Sequence, residues 1–221
     1  MVRDGRGRLT TGMSPHRLEA FSDGVLAIAV TLLVLDLHVP DDPDRPLGEL
    51  LLAQWPSYLT YVVSFVVIGI MWVNHHALFS RVAQIDRRLM FLNLGLLLVV
   101  SALPFPTAVA ADGLRRGGRD AQVALFTYSA AMFLVAIAFT ALWRHIVRTP
   151  GVLQTPLSGA AQRAAVRRFG LGLLAYGALC GTAFISPLLT LGGHFAVAVY
   201  YAFEQLPTRP VVGVATEPTE S

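Results

Sequence analysis

The sequence predicts an all-α integral membrane protein with six transmembrane helices in each protomer. The composition is 54% apolar and only 14% charged, whereas an ordinary soluble domain is roughly 25% charged. The mean hydropathy is +0.58, and apolar stretches near the ~20 residues that a membrane-spanning helix needs recur along the chain. A soluble protein of this size would need a polar surface that this composition cannot provide.

Six apolar segments define the predicted helices. They cover residues 20–39, 51–75, 89–111, 121–145, 168–188 and 191–206. The first segment is too long for the apolar region of a signal peptide, so we expect it to be retained. A tight turn around 190–193 is predicted between the last two segments. We therefore expect a membrane domain over 17–206, a cytoplasmic arm over 1–16, and a Pro-, Thr- and Glu-rich tail over 207–221 that is disordered.

The distribution of arginine predicts the topology. The chain has 17 basic residues and no lysine; thirteen arginines lie in the N-terminal arm, the second and fourth connections and the tail, and four lie in the other connections. Because basic residues concentrate on the cytoplasmic side, both termini are predicted to be cytoplasmic, which requires an even number of spans. The expected partner of such charge is anionic lipid in the bilayer, and no basic and aromatic surface indicates nucleic acid.

Motifs for enzymatic chemistry are missing from the sequence. There is no Gly-rich phosphate loop, no HExxH and no nucleophile elbow. Adjacent His75 and His76 point to different sides of a helix, so they cannot hold one metal as an i, i+4 pair could. We expect no catalytic residue, metal site or cofactor. The TVGYG filter of carbonyl-lined potassium channels is also absent.

One face of the first segment carries an apolar stripe. The stripe consists of Ile28, Thr31, Leu32 and Leu35, which are spaced i, i+3, i+4 and i+7 and so share a helix face. Asp23 lies well around the helix from it. The stripe either faces lipid or a neighbouring helix, or lines a pore in an oligomer, and spacing does not choose between these. A single six-helix unit is too small to enclose a pathway, so the pore interpretation requires an oligomer.

The second segment ends in a polar group. Trp72, Asn74, His75 and His76 follow its apolar run. They are either interfacial residues, with Trp72 in an aromatic belt, or part of a buried hydrogen-bond network. In the second interpretation, Asn74 or a histidine reaches Ser22 or Asp23 on the first helix.

Two motifs carry a resemblance to a known family. Arg17-x-x-x-Phe21-Ser22-Asp23 opens the first membrane segment, and Trp72-Val-Asn-His75-His76 closes the second. Together with the six-span layout, they resemble the transmembrane protein 175 family, which comprises endosomal and lysosomal potassium channels of animals and shorter homologues in bacteria and archaea. Animal members have two six-helix repeats and dimerise. A single repeat, as here, therefore implies a homotetramer.

The resemblance implies roles for the residues of the first helix. The first helix of each protomer would line a central pore for K⁺, with the constriction at Ile28 and further pore layers at Thr31, Leu32 and Leu35. Rings of apolar side chains, in place of a carbonyl filter, would then gate the pore and select among ions.

The resemblance also implies a structural polar network. Arg17, Phe21, Ser22 and Asp23 would hold the first helix to the second and third. Asn74 and a histidine of the His75–His76 pair would be their partners.

An alternative function class remains open at the sequence level. The same six-span fold could be a proton- or ion-coupled transporter that uses Asp23, Asp36 and His75, or a non-conducting membrane scaffold. A carrier needs polar residues near the middle of the membrane, and the first helix has only Thr31 there.

Overall fold

The computed structural model describes residues 2–3, 9–10, 14–39, 41–155 and 159–204, with side chains described from residue 14 onward except for 160–169 and 204. Most of the predicted arm over 1–16 and the predicted tail over 207–221 lie outside the described residues.

The described chain is helical apart from a short N-terminal hairpin, so the all-α prediction is confirmed. Strands β1 (Val2–Arg3) and β2 (Leu9–Thr10) pair antiparallel. The helices are α1 (Pro15–Leu32), which continues as a 3-10 turn (Leu33–Asp36), α2 (Leu47–Ala53), α3 (Trp55–Phe79), α4 (Arg87–Ser101), α5 (Pro104–Arg116), α6 (Gly118–Arg148), α7 (Gly159–Thr182) and α8 (Pro187–Glu204).

Four helical stretches of the described chain are long and apolar enough to cross a membrane. They cover Pro15–Asp36, Trp55–Phe79, Arg87–Arg116 and Gly118–Arg148. Helices α7 and α8 contain shorter apolar stretches, Gly170–Thr182 and Pro187–Phe203. Large apolar side chains are exposed along most of these helices. This surface suits contact with lipid or with further copies of the chain.

Prolines account for two differences from the predicted segments. The third segment is interrupted at residues 102–103, where α4 ends and α5 begins at Pro104, because proline lacks the N–H that would continue the helix. The predicted turn around 190–193 is wrong: these residues lie inside α8, and the turn occupies 183–186. Pro187 starts α8 because its missing N–H costs nothing in the first turn of a helix.

The core lies between α3, α4, α6 and their neighbours. Its largest fully buried side chains include Phe79, Leu89, Leu125, Tyr128 and Met132. Helix α6 packs on both α5 and α7, and α3 packs on α1, α5 and α8. The core is continuous across the helices, so it fixes their relative positions.

A buried hydroxyl cluster joins three of these helices. Ser64 of α3 lies 2.9 Å from the Thr107 hydroxyl of α5 and 3.1 Å from the Tyr128 hydroxyl of α6. All three side chains are buried. Hydrogen bonds between helices are a main source of cohesion in a membrane, where the hydrophobic effect between helices is absent.

The connections α3–α4 and α6–α7 are bound together at one end of the bundle. The Ala83 amide donates to the Val152 carbonyl at 2.7 Å, and the Gln154 amide donates to the Arg81 carbonyl at 3.0 Å. Asp86 accepts the Leu89 amide at 2.6 Å as the N-cap of α4 and also contacts His145 of α6 at 2.8 Å. We call this end, which also holds the start of α1, the Asp86 end.

Helices α5 and α6 form the tightest pair. Gly117 and Gly118 make the turn between them with φ values of 75° and 53°, which favour glycine. Gly113 faces α6 so closely that a Cβ atom there would overlap the Ala124 side chain and lie 2.9 Å from the Asp120 carbonyl oxygen.

We therefore expect Gly113→Ala to destabilise the bundle by about 1–3 kcal/mol, the usual cost of overpacking. Thermal unfolding of the detergent-solubilised protein measures this effect. Gly95→Ala is the matched control, because a Cβ at Gly95 meets nothing within 4 Å. The two variants melting together would show that the α5–α6 contact tolerates a methyl group.

Candidate functional site

The buried face of α1 attaches this helix to the rest of the bundle. The helix begins at Pro15, which suits a first helical position. From there, every third or fourth residue is buried: Leu18, Ser22, Leu26, Ala29 and, in the 3-10 turn, Leu33. This spacing places one side of the helix against α3 and α4.

The stripe predicted from the sequence lies on another side of α1 and is exposed. Ile28, Leu32 and Leu35 are 60%, 41% and 72% exposed, and Thr31 is exposed with them. The Thr31 hydroxyl donates to the Ile28 carbonyl at 2.9 Å, which leaves its oxygen lone pairs free to accept. No other part of the described chain covers this surface.

A buried polar chain joins three helices behind that stripe. The Asn93 amide of α4 donates from Nδ2 to the Ser22 hydroxyl of α1 at 2.8 Å. The Asn93 Oδ1 lies 2.8 Å from His75 Nε2 of α3, and the carbonyl can only accept, so His75 carries its proton on Nε2. Ser22 in turn donates to the Leu18 carbonyl at 2.8 Å. We call Ser22, Asn93 and His75 the polar network.

Packing orients the histidine of the polar network. The His75 ring stacks on Phe79, with ring centroids 4.3 Å apart and an interplanar angle of 18°. Ser22, Asn93 and His75 are at most 1% exposed. Because water cannot replace these hydrogen bonds, they hold α1 in one rotation relative to α3 and α4.

Two more contacts join α1 to α3 on either side of the polar network. The Trp72 indole donates from Nε1 to an Asp23 carboxylate oxygen at 2.9 Å. The His76 Nδ1 lies 2.7 Å from a Glu19 carboxylate oxygen. The carboxylates of α1 thus face α3, and they do not face the stripe.

The structure places the other predicted network residues elsewhere. Asn74 is one residue away from His75, about 100° around the helix, and lines an apolar cavity beside Tyr176 and Tyr201. Its Oδ1 is buried with no hydrogen-bond partner in the described chain. Arg17 and Phe21 are exposed in the single chain, and Phe21 is 54% exposed. The amide that connects the helices is therefore Asn93, and Asn74 does not take that role.

Sequence reasoning missed Asn93 although the sequence contains a signal for it. Asn93 is the only polar side chain in the apolar run from 89 to 100. An isolated amide in a membrane helix usually finds a partner on a neighbouring helix. The sequence also does not predict that Trp72 of α3 contacts Asp23 of α1, or that Glu19 of α1 contacts His76 of α3.

The contacts of this site hold α1 to the neighbouring helices. Within the part of the chain that the structure describes, no group of three His, Cys, Asp or Glu side chains could hold a metal ion. The polar groups of the site are used in contacts between helices, whereas its exposed surface is apolar. Such a site can position a helix and present a hydrophobic surface to an aqueous or lipid phase.

We expect Asn93→Leu to destabilise the protein by about 1–3 kcal/mol, because it removes both bonds of the amide and leaves buried His75 without its acceptor. Thermal unfolding of the detergent-solubilised protein provides the measurement. Asn74→Leu is the matched control on α3: its Oδ1 has no described hydrogen-bond partner, so the change should cost little. A loss of stability as large for Asn74→Leu as for Asn93→Leu would contradict the assignment.

Comparison with known proteins places the chain in a family. Residues 17–104, which include most of α1 and all of α3 and α4, match the family model described as endosomal/lysosomal potassium channel TMEM175. A protein from Streptomyces collinus that is named a potassium channel is 54% identical over 192 residues, which cover 86% of this chain and 93% of that protein. A Gallus gallus protein named endosomal/lysosomal proton channel TMEM175 is 35% identical over 147 residues, but these cover only 29% of its length.

A solved structure has the same fold. The crystal structure of a protein from Chamaesiphon minutus, described as a lysosomal potassium-selective channel TMEM175 homolog, superposes with a TM-score of 0.78 at 37% sequence identity, covering 87% of this chain and 98% of that one. Together with the apolar helices, these similarities make the chain a multi-pass membrane protein. The chain belongs to the TMEM175 family.

Proposed function

We propose that the chain is a potassium-permeable channel in which the first helices of four copies surround a central pore. The observation that carries this proposal is the stripe of Ile28, Thr31, Leu32 and Leu35, which is uncovered on a helix whose other side is firmly packed. The names of the Streptomyces and Chamaesiphon relatives support K⁺ as the permeant ion.

The proposed protomer has six spans, with α4 and α5 acting as one and both termini in the cytoplasm. Helices α7 and α8 would form the last two spans.

Support for this orientation comes from the charges at the two ends of the bundle. The Asp86 end carries Arg81, Arg87, Arg88, Arg144 and Arg148. At the other end, Arg115 and Arg116 both pair with Asp112, and Arg45 pairs with Glu49. Among the described side chains, more arginines lie at the Asp86 end, which also holds Arg17, than at the other end, so we assign the Asp86 end to the cytoplasm.

The gate that we propose is a ring of four Ile28 side chains. Such a ring offers an ion no oxygen in exchange for its hydration water, so it closes by excluding water. The penalty is larger for sodium than for potassium, because sodium is more strongly hydrated. The free lone pairs of Thr31 would interact with a partly dehydrated ion beyond the ring. Selectivity from this mechanism is weaker than that of a carbonyl filter.

The contacts of Asp23 and Glu19 with α3 support this model by keeping acidic groups away from the pore. Asp23 accepts from Trp72, and Glu19 contacts His76, so both carboxylates lie on the α3 side of α1. In an ion-coupled transporter, the titratable residues Asp23, Asp36 and His75 would need a connected path. His75 is instead buried against Asn93 and Phe79, and Asp36 lies at the far end of the 3-10 turn.

A four-copy assembly is the first testable consequence. Native mass measurement of the protein purified in mild detergent should give about four times the 23.9 kDa of one chain. The physical reason is that the exposed stripe is buried only when several first helices meet. A preparation that contains only monomers or dimers would contradict the model.

The gate itself is tested by Ile28→Asn. Four amides in the ring should wet the constriction, raise the single-channel conductance in a planar bilayer, and lower the permeability ratio of potassium to sodium. Leu98→Asn is the matched control, because Leu98 is 72% exposed on α4 and should face lipid. Unchanged conductance and ion ratio in Ile28→Asn, in protein that assembles normally, would exclude Ile28 as the gate.

A further inference from the structure

A basic cleft opens between α4, α6 and α7 at the Asp86 end, and no residue of α1 lines it. Its volume is about 490 Å³. Arg88 of α4 and Arg144 and Arg148 of α6 form its polar part, and Leu92, Ile137 and Leu173 form its apolar wall. The cleft is part neither of the stripe nor of the polar network.

The arginines of the cleft have no acidic partner among the described residues. No Asp or Glu occurs between residues 121 and 203, so neither α7 nor the span of α6 can supply a carboxylate. The nearest acidic group on α4 is Asp86, and it is occupied by His145 and by the Leu89 amide. Within the described chain, no ion pair involves Arg88, Arg144 or Arg148. Three guanidinium groups around one cavity create a strong preference for an anion.

The cleft has the polarity of an amphiphile at the membrane surface. Helix α6 has 31 residues and is therefore about 46 Å long, whereas the hydrocarbon core of a bilayer is about 30 Å thick. The last turns of α6, with Arg144 and Arg148, thus reach the headgroup region. Ile137 lies seven residues earlier than Arg144 on the same helix, about 10 Å deeper. The basic groups and the apolar wall are stacked along the membrane normal in the order of a lipid headgroup and its acyl chain.

We propose that this cleft binds an anionic phospholipid, with the phosphate held by Arg88, Arg144 and Arg148 and one acyl chain along Leu92, Ile137 and Leu173. Guanidinium groups bind phosphate oxygens in a bidentate manner, which makes arginine better suited to this contact than lysine. Basic pockets between membrane helices on the cytoplasmic side commonly bind lipid headgroups. The bound lipid would link α4 to α6 and so stabilise the contact between these two helices.

The test is native mass measurement of the full chain in detergent, titrated with phosphatidylglycerol or with phosphatidylcholine. We expect phosphatidylglycerol adducts at lower lipid concentration than phosphatidylcholine adducts, and a higher melting temperature with phosphatidylglycerol. The double variant Arg144→Gln with Arg148→Gln should bind phosphatidylglycerol about 30-fold more weakly, because each basic residue near a surface contributes about fivefold.

Two controls make the result specific to the cleft. Arg45→Gln with Arg119→Gln removes the same charge from the opposite end of the bundle and should bind phosphatidylglycerol like the unmodified chain. Ala141→Trp keeps every arginine but fills the cleft, whose lining includes Ala141, and should weaken binding. Melting temperatures without lipid identify any variant that fails to fold.

Several outcomes would overturn the proposal. An equal loss of phosphatidylglycerol binding in the two double variants would show that net charge alone governs the binding. Unchanged binding in folded Ala141→Trp would place the lipid elsewhere. Stabilisation by glycerol phosphate, the headgroup without acyl chains, at the same concentration as by phosphatidylglycerol would identify a site for a soluble anion.

Discussion

The hydrogen bonds from Asn93 to Ser22 and His75 link three helices in an environment that contains no competing water. In a soluble protein, a broken bond of this kind would be partly replaced by solvent. In the apolar interior of a membrane protein, a donor and an acceptor that separate find no water to bond to. Breaking the same contact there leaves both groups unsatisfied, so the contact holds the helices in one arrangement more strictly. The rotation of α1 about its own axis depends on this contact, and with it the direction in which Ile28 and Leu35 point.

A fixed rotation of α1 matters because one side of the helix packs against the bundle and the other side carries the exposed stripe. Leu18, Leu26 and Ala29 are buried against the bundle, whereas the stripe remains uncovered. A rotation by a single residue position, 100°, would turn buried groups outward and could bring the acidic side chains to the uncovered surface where the stripe now lies. A channel of the proposed kind needs an apolar constriction free of fixed charge. Contacts of Asp23 with Trp72 and of Glu19 with His76 serve that need by holding the carboxylates against α3.

The two ends of the bundle differ in how their charges are satisfied. At the end of Arg115, intrahelical acidic partners and the Gln54 side chain bind the arginines. At the Asp86 end, Asp86 itself caps α4 and contacts His145, and the arginines of the cleft are exposed. Charges that are satisfied within the protein can face either leaflet, but unpaired arginines require anions from their surroundings. The same asymmetry supports both the proposed orientation and the proposed lipid site.

The sequence by itself determined that the chain is a helical membrane protein, because apolar length and low charge are local properties that the bilayer imposes on any fold. It also located the stripe on one face of α1, since helical periodicity needs no knowledge of neighbours.

The choice of Asn93 over Asn74 was decided only by tertiary structure. Both are amides at comparable depth in apolar helices, and only the packing of α3 and α4 determines which one meets Ser22. The start of α8 and the break before Pro104 depend on proline in ways that apolar length alone does not reveal. The basic cleft was likewise beyond the sequence, because Arg88 and Arg144 are 56 positions apart and converge only when α4 packs on α6.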